Sequence, residues 1–159
     1  MLQIGELPRE ALAELLGRYR TRRIDVPAGA SLPGSFWGAP EAGLVGDALY
    51  VRADTPVHSA LHELCHRICM DEARRQRLDT DAGGSDEEEC AVCYLQVLLA
   101  DHLPGVGRAR LLTDMDTWGY SFREGSAAAW LAGDGEEARA WLIRHGLLEV
   151  GGRPTWRLR

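Results

Sequence analysis

Apolar residues recur every three or four positions along much of this chain, a spacing that is typical of amphipathic helices. In the first such stretch, Leu12, Leu15, Leu16 and Tyr19 share one helical face behind Pro8, which suits a first helical turn. The same periodicity, combined with caps and breakers, predicts five further helices, at residues 56–70, 86–103, 108–115, 126–131 and 136–145. The pattern therefore predicts two long helices, followed by shorter ones toward the C-terminus.

Residues 24–53 have a different pattern, because proline and glycine interrupt short apolar runs. Such punctuation is typical of turns between short strands. The candidate strands are 35–37, 43–45 and 48–52, and Gly46-Asp47 is a candidate tight turn between the last two. They predict a small antiparallel or mixed sheet, and the glycines never form a phosphate-binding loop. Residues 147–150 and 155–158 predict a terminal hairpin.

Helices and short strands together predict an α+β fold, and the length of 159 residues predicts a single domain over 1–159. The net charge of −6 argues against a nucleic-acid partner and favours a cationic or neutral substrate. No apolar run is long enough for a membrane span. No basic region followed by an apolar stretch opens the chain, so we expect a cytoplasmic protein.

The helix predicted for residues 56–70 contains His62-Glu63-Leu64-Cys65-His66, which matches the pattern H-E-x-x-H. Residues four apart lie on the same face of a helix. Two imidazoles at that spacing can bind one zinc ion, and Glu63 can then take a proton from a zinc-bound water. The alternative is a surface helix with two unrelated histidines. A strand directly before the helix favours the zinc site.

A catalytic zinc ion usually has three protein ligands and one water molecule, so two histidines leave the predicted site incomplete. The acidic start of the second long helix, Glu87-Glu88-Glu89, lies 21 to 23 residues after His66 and is the obvious source of the third ligand. Acidic residues in a first helical turn also complement the helix dipole without any other function. That effect alone would account for one or two of the three.

The order of these features resembles the minimal gluzincin arrangement of zinc metallopeptidases. A strand and short turn precede the H-E-x-x-H helix, and a polar loop leads to a helix beginning Glu-Glu-Glu-Cys-Ala-Val-Cys-Tyr-Leu-Gln-Val-Leu-Leu. This arrangement is most similar to the ImmA/IrrE-type metallopeptidases. The resemblance covers about residues 44–100, and only the H-E-x-x-H part is specific. The segments 69–71, 79–84 and 118–122 are also similar to an uncharacterised family of small bacterial zincin-like proteins.

The resemblance implies a zincin-like fold and a zinc-dependent peptidase acting on a peptide or protein substrate. Carried over by motif, His62 and His66 are the expected zinc ligands and Glu63 is the expected general base. Glu89 is preferred as the third ligand because Cys93, Val97 and Leu98 continue its apolar face. Glu88 is in a register that is nearly as good, and Glu87 ranks third.

Side chains around the motif supply further candidates. His58, one helical turn before His62, could line the cleft, hydrogen-bond a ligand or stabilise a developing oxyanion; the alternative is a partly exposed histidine without a role. Tyr94, Tyr120 and Asp116 are looser candidates for the oxyanion donor. Metal-bound histidines commonly donate their second nitrogen to a carboxylate, and Asp114 or Asp116 could accept that hydrogen bond.

The four cysteines, Cys65, Cys69, Cys90 and Cys93, form two close pairs around the predicted site. Both pairs fall within predicted helices, whereas zinc ribbons place their cysteines on turns. Packed free thiols are therefore favoured over a second zinc site. Two alternative functions remain open: a non-catalytic zinc-binding or interaction module on the same scaffold, and a cysteine-based redox or metal sensor.

Overall fold

Seven α-helices, one short 3-10 helix and one three-stranded sheet make up the structure, a computed structural model that describes residues 1–159. The helices are α1 (Ala11–Gly17), α2 (Val57–Cys69), α3 (Glu72–Gln76), α4 (Asp86–Ala100), α5 (Gly107–Trp118), α6 (Ala127–Ala132) and α7 (Gly135–Arg144). The strands are β1 (Arg22–Asp25), β2 (Gly43–Val45) and β3 (Ala48–Val51). The predicted α+β class is confirmed. None of the helices has both the length and the apolar character that a membrane crossing requires.

The sheet is mixed, with β3 in the centre, parallel to β1 and antiparallel to β2. The predicted turn at Gly46-Asp47 joins β2 to β3 and pairs Leu44 with Leu49. The predicted strand at 35–37 is wrong. That segment turns instead, since the Ser35 amide donates to the Leu32 carbonyl at 3.2 Å and the glycines on either side of it have positive φ. Strand β1 was not predicted.

The outer edge of β2 is covered by two other segments of the chain. The backbone amide and carbonyl of Leu44 point away from β3. The amide donates to the Gly34 carbonyl at 3.3 Å, and the carbonyl accepts from the Thr80 amide at 3.0 Å. Gly43 allows the first contact, because a Cβ there would lie 2.0 Å from the Pro33 carbonyl oxygen. The loop that crosses β2 at this point brings Phe36 and Trp37 to the surface, where Trp37 is 77% exposed.

Helix α2 follows β3 closely and carries the H-E-x-x-H motif. Its apolar residues Leu61, Leu64 and Ile68 are fully buried, as predicted, and the helix packs against α4. The sequence Asp54-Thr55-Pro56 predicts that Asp54 or Thr55 caps this helix, but Pro56 takes the capping position without a side-chain hydrogen bond. Both candidates are engaged with Arg52: Asp54 pairs with its guanidinium at 2.7 Å, and the Thr55 hydroxyl accepts from its amide at 2.9 Å.

The other predicted helices are all present in the predicted order, with shifted ends, and α3 is an additional helix. Ser85 caps α4 by accepting a hydrogen bond from the Glu88 amide at 3.2 Å. Helix α3 was expected to be loop and is a short helix, because the Asp71 side chain caps it at the Arg74 amide. The predicted terminal hairpin is reduced to one isolated bridge, between Leu148 and Pro154.

Candidate metal centre

Three side chains from α2 and α4 converge on one point at the base of a cleft. The Nε2 atoms of His62 and His66 are 3.1 Å apart. The two carboxylate oxygens of Glu89 lie 3.1 Å from His62 Nε2 and 3.3 Å from His66 Nε2. Ligand atoms about 2.0–2.1 Å from a tetrahedrally coordinated zinc ion are separated by about 3.3 Å. These three side chains therefore have the spacing needed to bind one ion and to leave its fourth position open.

Gln96 orients the ring of His62. Its side-chain oxygen lies 2.7 Å from His62 Nδ1, and its amide nitrogen donates to the His58 carbonyl at 3.3 Å. Because that donor is already committed, the Gln96 oxygen accepts a hydrogen bond from Nδ1, so Nε2 is the atom of His62 that would bind an ion after losing its proton. Gln96 is fully buried. Its only signal in the sequence is a lone amide in an apolar run, two helical turns after Glu89.

Asp114 and Asp116 hydrogen-bond to groups other than the ligand histidines. The Asp114 carboxylate accepts hydrogen bonds from the Leu2 amide at 2.9 Å and from the Arg110 side chain at 3.1 Å. Asp116 accepts one from the Ala127 amide at 2.8 Å. The prediction that either carboxylate supports a ligand histidine is therefore wrong, since both are held by the N-terminal segment and by the start of α6.

Glu88 and Glu89 point in different directions although they are adjacent. Glu89 faces the histidines, whereas Glu88 is turned to Arg74, whose Nη1 donates to it at 2.9 Å. Arg159 approaches the same carboxylate at 3.5 Å. The structure thus places Glu89, and not Glu88, in the group of three. Glu87 lines a separate cavity.

The protonation states of the three side chains differ in the metal-free chain. Burial opposes protonation of His62, but Tyr120, Cys93 and Glu89 outweigh it and raise its pKa well above the usual value, so a bound metal would displace the proton from its Nε2. Burial, assisted by His62, lowers the pKa of His66 to about 4, so this imidazole is neutral at pH 7. Burial opposes ionisation of Glu89, but the hydrogen bond and charge of His62 outweigh it and lower the pKa of that carboxyl. A neutral imidazole and an ionised carboxylate are the donor forms that zinc binds.

Glu63 lies between the two histidines in sequence and lines the same cleft. Burial raises its pKa to about 7; His62 acts in the opposite direction, and the carboxylates of Glu41 and Glu89 add to the rise. The pKa of Glu63 is therefore close to neutrality in the metal-free chain. That property suits a group that exchanges protons with a reacting molecule.

His58 and Tyr120 form a pair on the adjoining wall. His58 Nδ1 lies 3.2 Å from the Tyr120 hydroxyl, and the buried Nε2 atom has no hydrogen-bond partner. The alternative of a partly exposed His58 is wrong, because the side chain is buried and Trp118 and Tyr120 lie against its ring at centroid distances of 5.1 and 5.4 Å. Burial raises the pKa of Tyr120 to about 12, so its hydroxyl keeps its proton. Tyr94, another candidate for the oxyanion donor, packs on Trp130 instead.

The cleft above these residues has a volume of about 560 Å³. Its walls are the loop carrying Phe36, Trp37 and Glu41, the segment 80–83, and the aromatic end of α5 with the loop that follows. Sequence reasoning missed Glu41. A single acidic residue beside a short apolar strand carries no signal of its own, and only the path of the chain brings it here.

The cysteines are all unpaired, and Cys65, Cys69 and Cys93 are buried in the core around α2 and α4. Burial raises the pKa values of Cys65 and Cys69 well above the usual range. Their thiols are therefore protonated at pH 7 and poorly reactive. They pack as small apolar side chains, which is the arrangement favoured over a second zinc site.

Comparison of the chain with models of protein families, with curated proteins and with solved structures found no match. The function of the site is therefore argued from the geometry of its own residues. Those residues are the convergent group on α2 and α4, Glu63 beside it, and the buried pair of His58 and Tyr120.

Proposed function

We propose that the protein is a zinc-dependent peptidase in which His62, His66 and Glu89 bind one zinc ion. The observation that carries the proposal is the separation of the three donor groups, 3.1 to 3.3 Å, which matches the edges of a tetrahedral zinc site. Two nitrogen donors, one carboxylate and an open position are typical of catalytic rather than structural zinc. The order of β3, α2, a polar segment and α4 supports the zincin-like, gluzincin-type assignment and its similarity to the ImmA/IrrE-type metallopeptidases.

When bound, zinc would lower the pKa of a coordinated water from about 16 toward 7 and polarise the substrate carbonyl. The Glu63 carboxylate accepts the proton of the attacking water and passes it to the leaving amide nitrogen. Glu63 is suited to this transfer because it lines the cleft beside the ligand histidines.

Tyr120 donates a hydrogen bond to the carbonyl oxygen as it gains negative charge. His58 orients the Tyr120 hydroxyl. If His58 carries its proton on Nδ1, it donates to the Tyr120 oxygen at 3.2 Å and leaves the hydroxyl proton free for the substrate. This tautomer also explains the buried Nε2 without a partner, since that atom then carries only a lone pair.

The test combines metal analysis with peptide cleavage. We expect about one zinc ion per chain in the purified protein and in the Glu63→Gln variant. On a diverse mixture of synthetic peptides, Glu63→Gln should reduce zinc-dependent cleavage by about 10²- to 10⁴-fold. Glu14→Gln is the matched control, because Glu14 is an exposed residue of α1 outside the cleft. Protein without zinc would overturn the proposal, and zinc without any cleavage would instead indicate a non-catalytic zinc-binding module.

A further inference from the structure

Glu41 is held in the cleft by contacts to α2. The Ala42 amide donates to the buried Ser59 hydroxyl at 3.0 Å, and the Glu41 amide donates to the Gly38 carbonyl at 3.1 Å. Ser59 precedes Glu63 by four residues, so it lies one turn away on the same helical face. The segment that carries Glu41 is therefore anchored one helical turn before the proposed general base.

The carboxylate of Glu41 forms no ion pair with an arginine in the cleft; the cationic group that acts on it is His62, whose proton a metal ion at the proposed site would displace. Four acidic residues line the cleft, and no arginine does; the chain contains no lysine. A divalent ion held by the proposed ligands would balance the charges of Glu63 and Glu89. Asp81 is exposed, and its side chain accepts a hydrogen bond from the Gly83 amide at 2.9 Å. Glu41 is thus the half-buried negative charge that remains uncompensated.

Aromatic rings stand beside this charge. Trp118 lines the cleft with Glu41 and is 40% exposed; burial raises the pKa of Glu41, and the Trp118 indole opposes that rise. Trp37 and Phe36, on the loop just before Glu41, pack edge to face at 5.0 Å and are also exposed. A carboxylate flanked by accessible aromatic rings attracts guanidinium and ammonium groups, because the ring faces and the carboxylate both have a negative electrostatic potential.

We propose that Glu41, with Trp118 beside it, binds a positively charged group of the substrate next to the peptide bond that is cleaved. The substrates are then peptides that present arginine, lysine or a free amino terminus at that position. This inference rests on the proposed peptidase function, and it identifies Glu41 as the residue that determines specificity.

The experiment maps cleavage sites by mass spectrometry after digestion of a peptide mixture with the zinc-loaded protein. Cleavage sites should be enriched in a cationic group at one position, and Glu41→Gln should reduce that enrichment by about tenfold or more. Glu41→Lys should shift the preference toward acidic residues at the same position. Glu14→Gln is expected to keep the wild-type preference. A parallel digestion of N-terminally acetylated peptides separates cationic side chains from a free amino terminus as the recognised group.

A negative result for Glu41 can be distinguished from a negative result for the peptidase proposal. Zinc-dependent cleavage without a cationic preference, or a preference that survives Glu41→Gln, overturns the role of Glu41 and leaves the peptidase proposal standing. Cleavage that is no greater in the wild type than in Glu63→Gln overturns both. Zinc content and circular dichroism of each variant show that it is folded and that its metal site is intact.

Discussion

Single substitutions of Glu88 and Glu89 by alanine test whether Glu88 stabilises the fold and whether Glu89 is a ligand of the proposed zinc ion. Glu88 is 6% exposed and pairs with Arg74, which is 27% exposed. Glu89 is 50% exposed, and its carboxylate pairs with the two histidines. We expect Glu88→Ala to lower the stability of the metal-free protein, and Glu89→Ala to abolish most of its stabilisation by zinc.

The magnitude for Glu88→Ala follows from the burial of its ion pair. Removing one partner of a fully buried pair costs about 3–5 kcal/mol. Arg74 is partly exposed and reaches Asp71 at 3.4 Å, so we expect a smaller loss, about 2–3 kcal/mol. For a domain of this size, such a loss corresponds to a decrease in Tm of about 5–10 °C.

The magnitude for Glu89→Ala depends on zinc. Its half-exposed contacts contribute about 0–1 kcal/mol without metal, so Tm should change by only a few degrees. Zinc at about a thousand times its Kd should stabilise the wild type by about 4 kcal/mol. Loss of a partner that only supports a ligand weakens binding about 10- to 100-fold, and loss of a direct ligand should weaken it further.

Thermal unfolding with EDTA and with excess zinc measures both quantities in the same samples. Glu87→Ala is the matched control, since Glu87 is exposed in the same helical turn and its loss changes the net charge equally. A zinc-induced rise in Tm for Glu89→Ala as large as that of the wild type would refute the ligand assignment. Equal metal-free Tm values for the Glu88 and Glu87 variants would refute the stabilising role of the Arg74 pair.

Two further substitutions test the support of the site. Gln96→Leu removes the acceptor of His62 Nδ1 and should weaken zinc binding about 10- to 100-fold in a chelator competition titration; an unchanged Kd would contradict the orienting role. Gly43→Ala places a Cβ 2.0 Å from the Pro33 carbonyl oxygen. Urea unfolding should show that this variant loses about 2–4 kcal/mol of its free energy of unfolding. Gly17→Ala is the control, because open space surrounds Gly17, and it should be neutral or stabilising.

The site residues that are easiest to predict from the sequence lie on one helix. The helical repeat itself places His62 and His66 on one face, so their spacing predicts their proximity without knowledge of the fold. The choice between Glu88 and Glu89 could not be made in this way, because both have apolar residues behind them. Arg74 decides it, and the short helix that positions Arg74 depends on a cap that the apolar pattern does not contain.

Features that depend on distant parts of the chain were missed. Gln96 and Glu41 acquire their positions only when α4 packs on α2 and when the loop before β2 crosses the strand. Strand β1 begins with two arginines, and its pairing with β3 joins residues that are 26 apart in the chain. The apolar pattern of a four-residue strand is too short to predict such pairing.

The covered edge of β2 limits how a substrate of the proposed peptidase could bind. Many proteins bind an extended peptide by adding it as one more strand to an open sheet edge. Here both outward-facing backbone groups of Leu44 are already bonded within the chain. A substrate main chain therefore finds no hydrogen-bonding ladder on this side of the sheet. If the protein is the proposed peptidase, a substrate on this side is held by individual side chains and by the proposed ion, so discrimination between peptides depends on a few local groups rather than on backbone length.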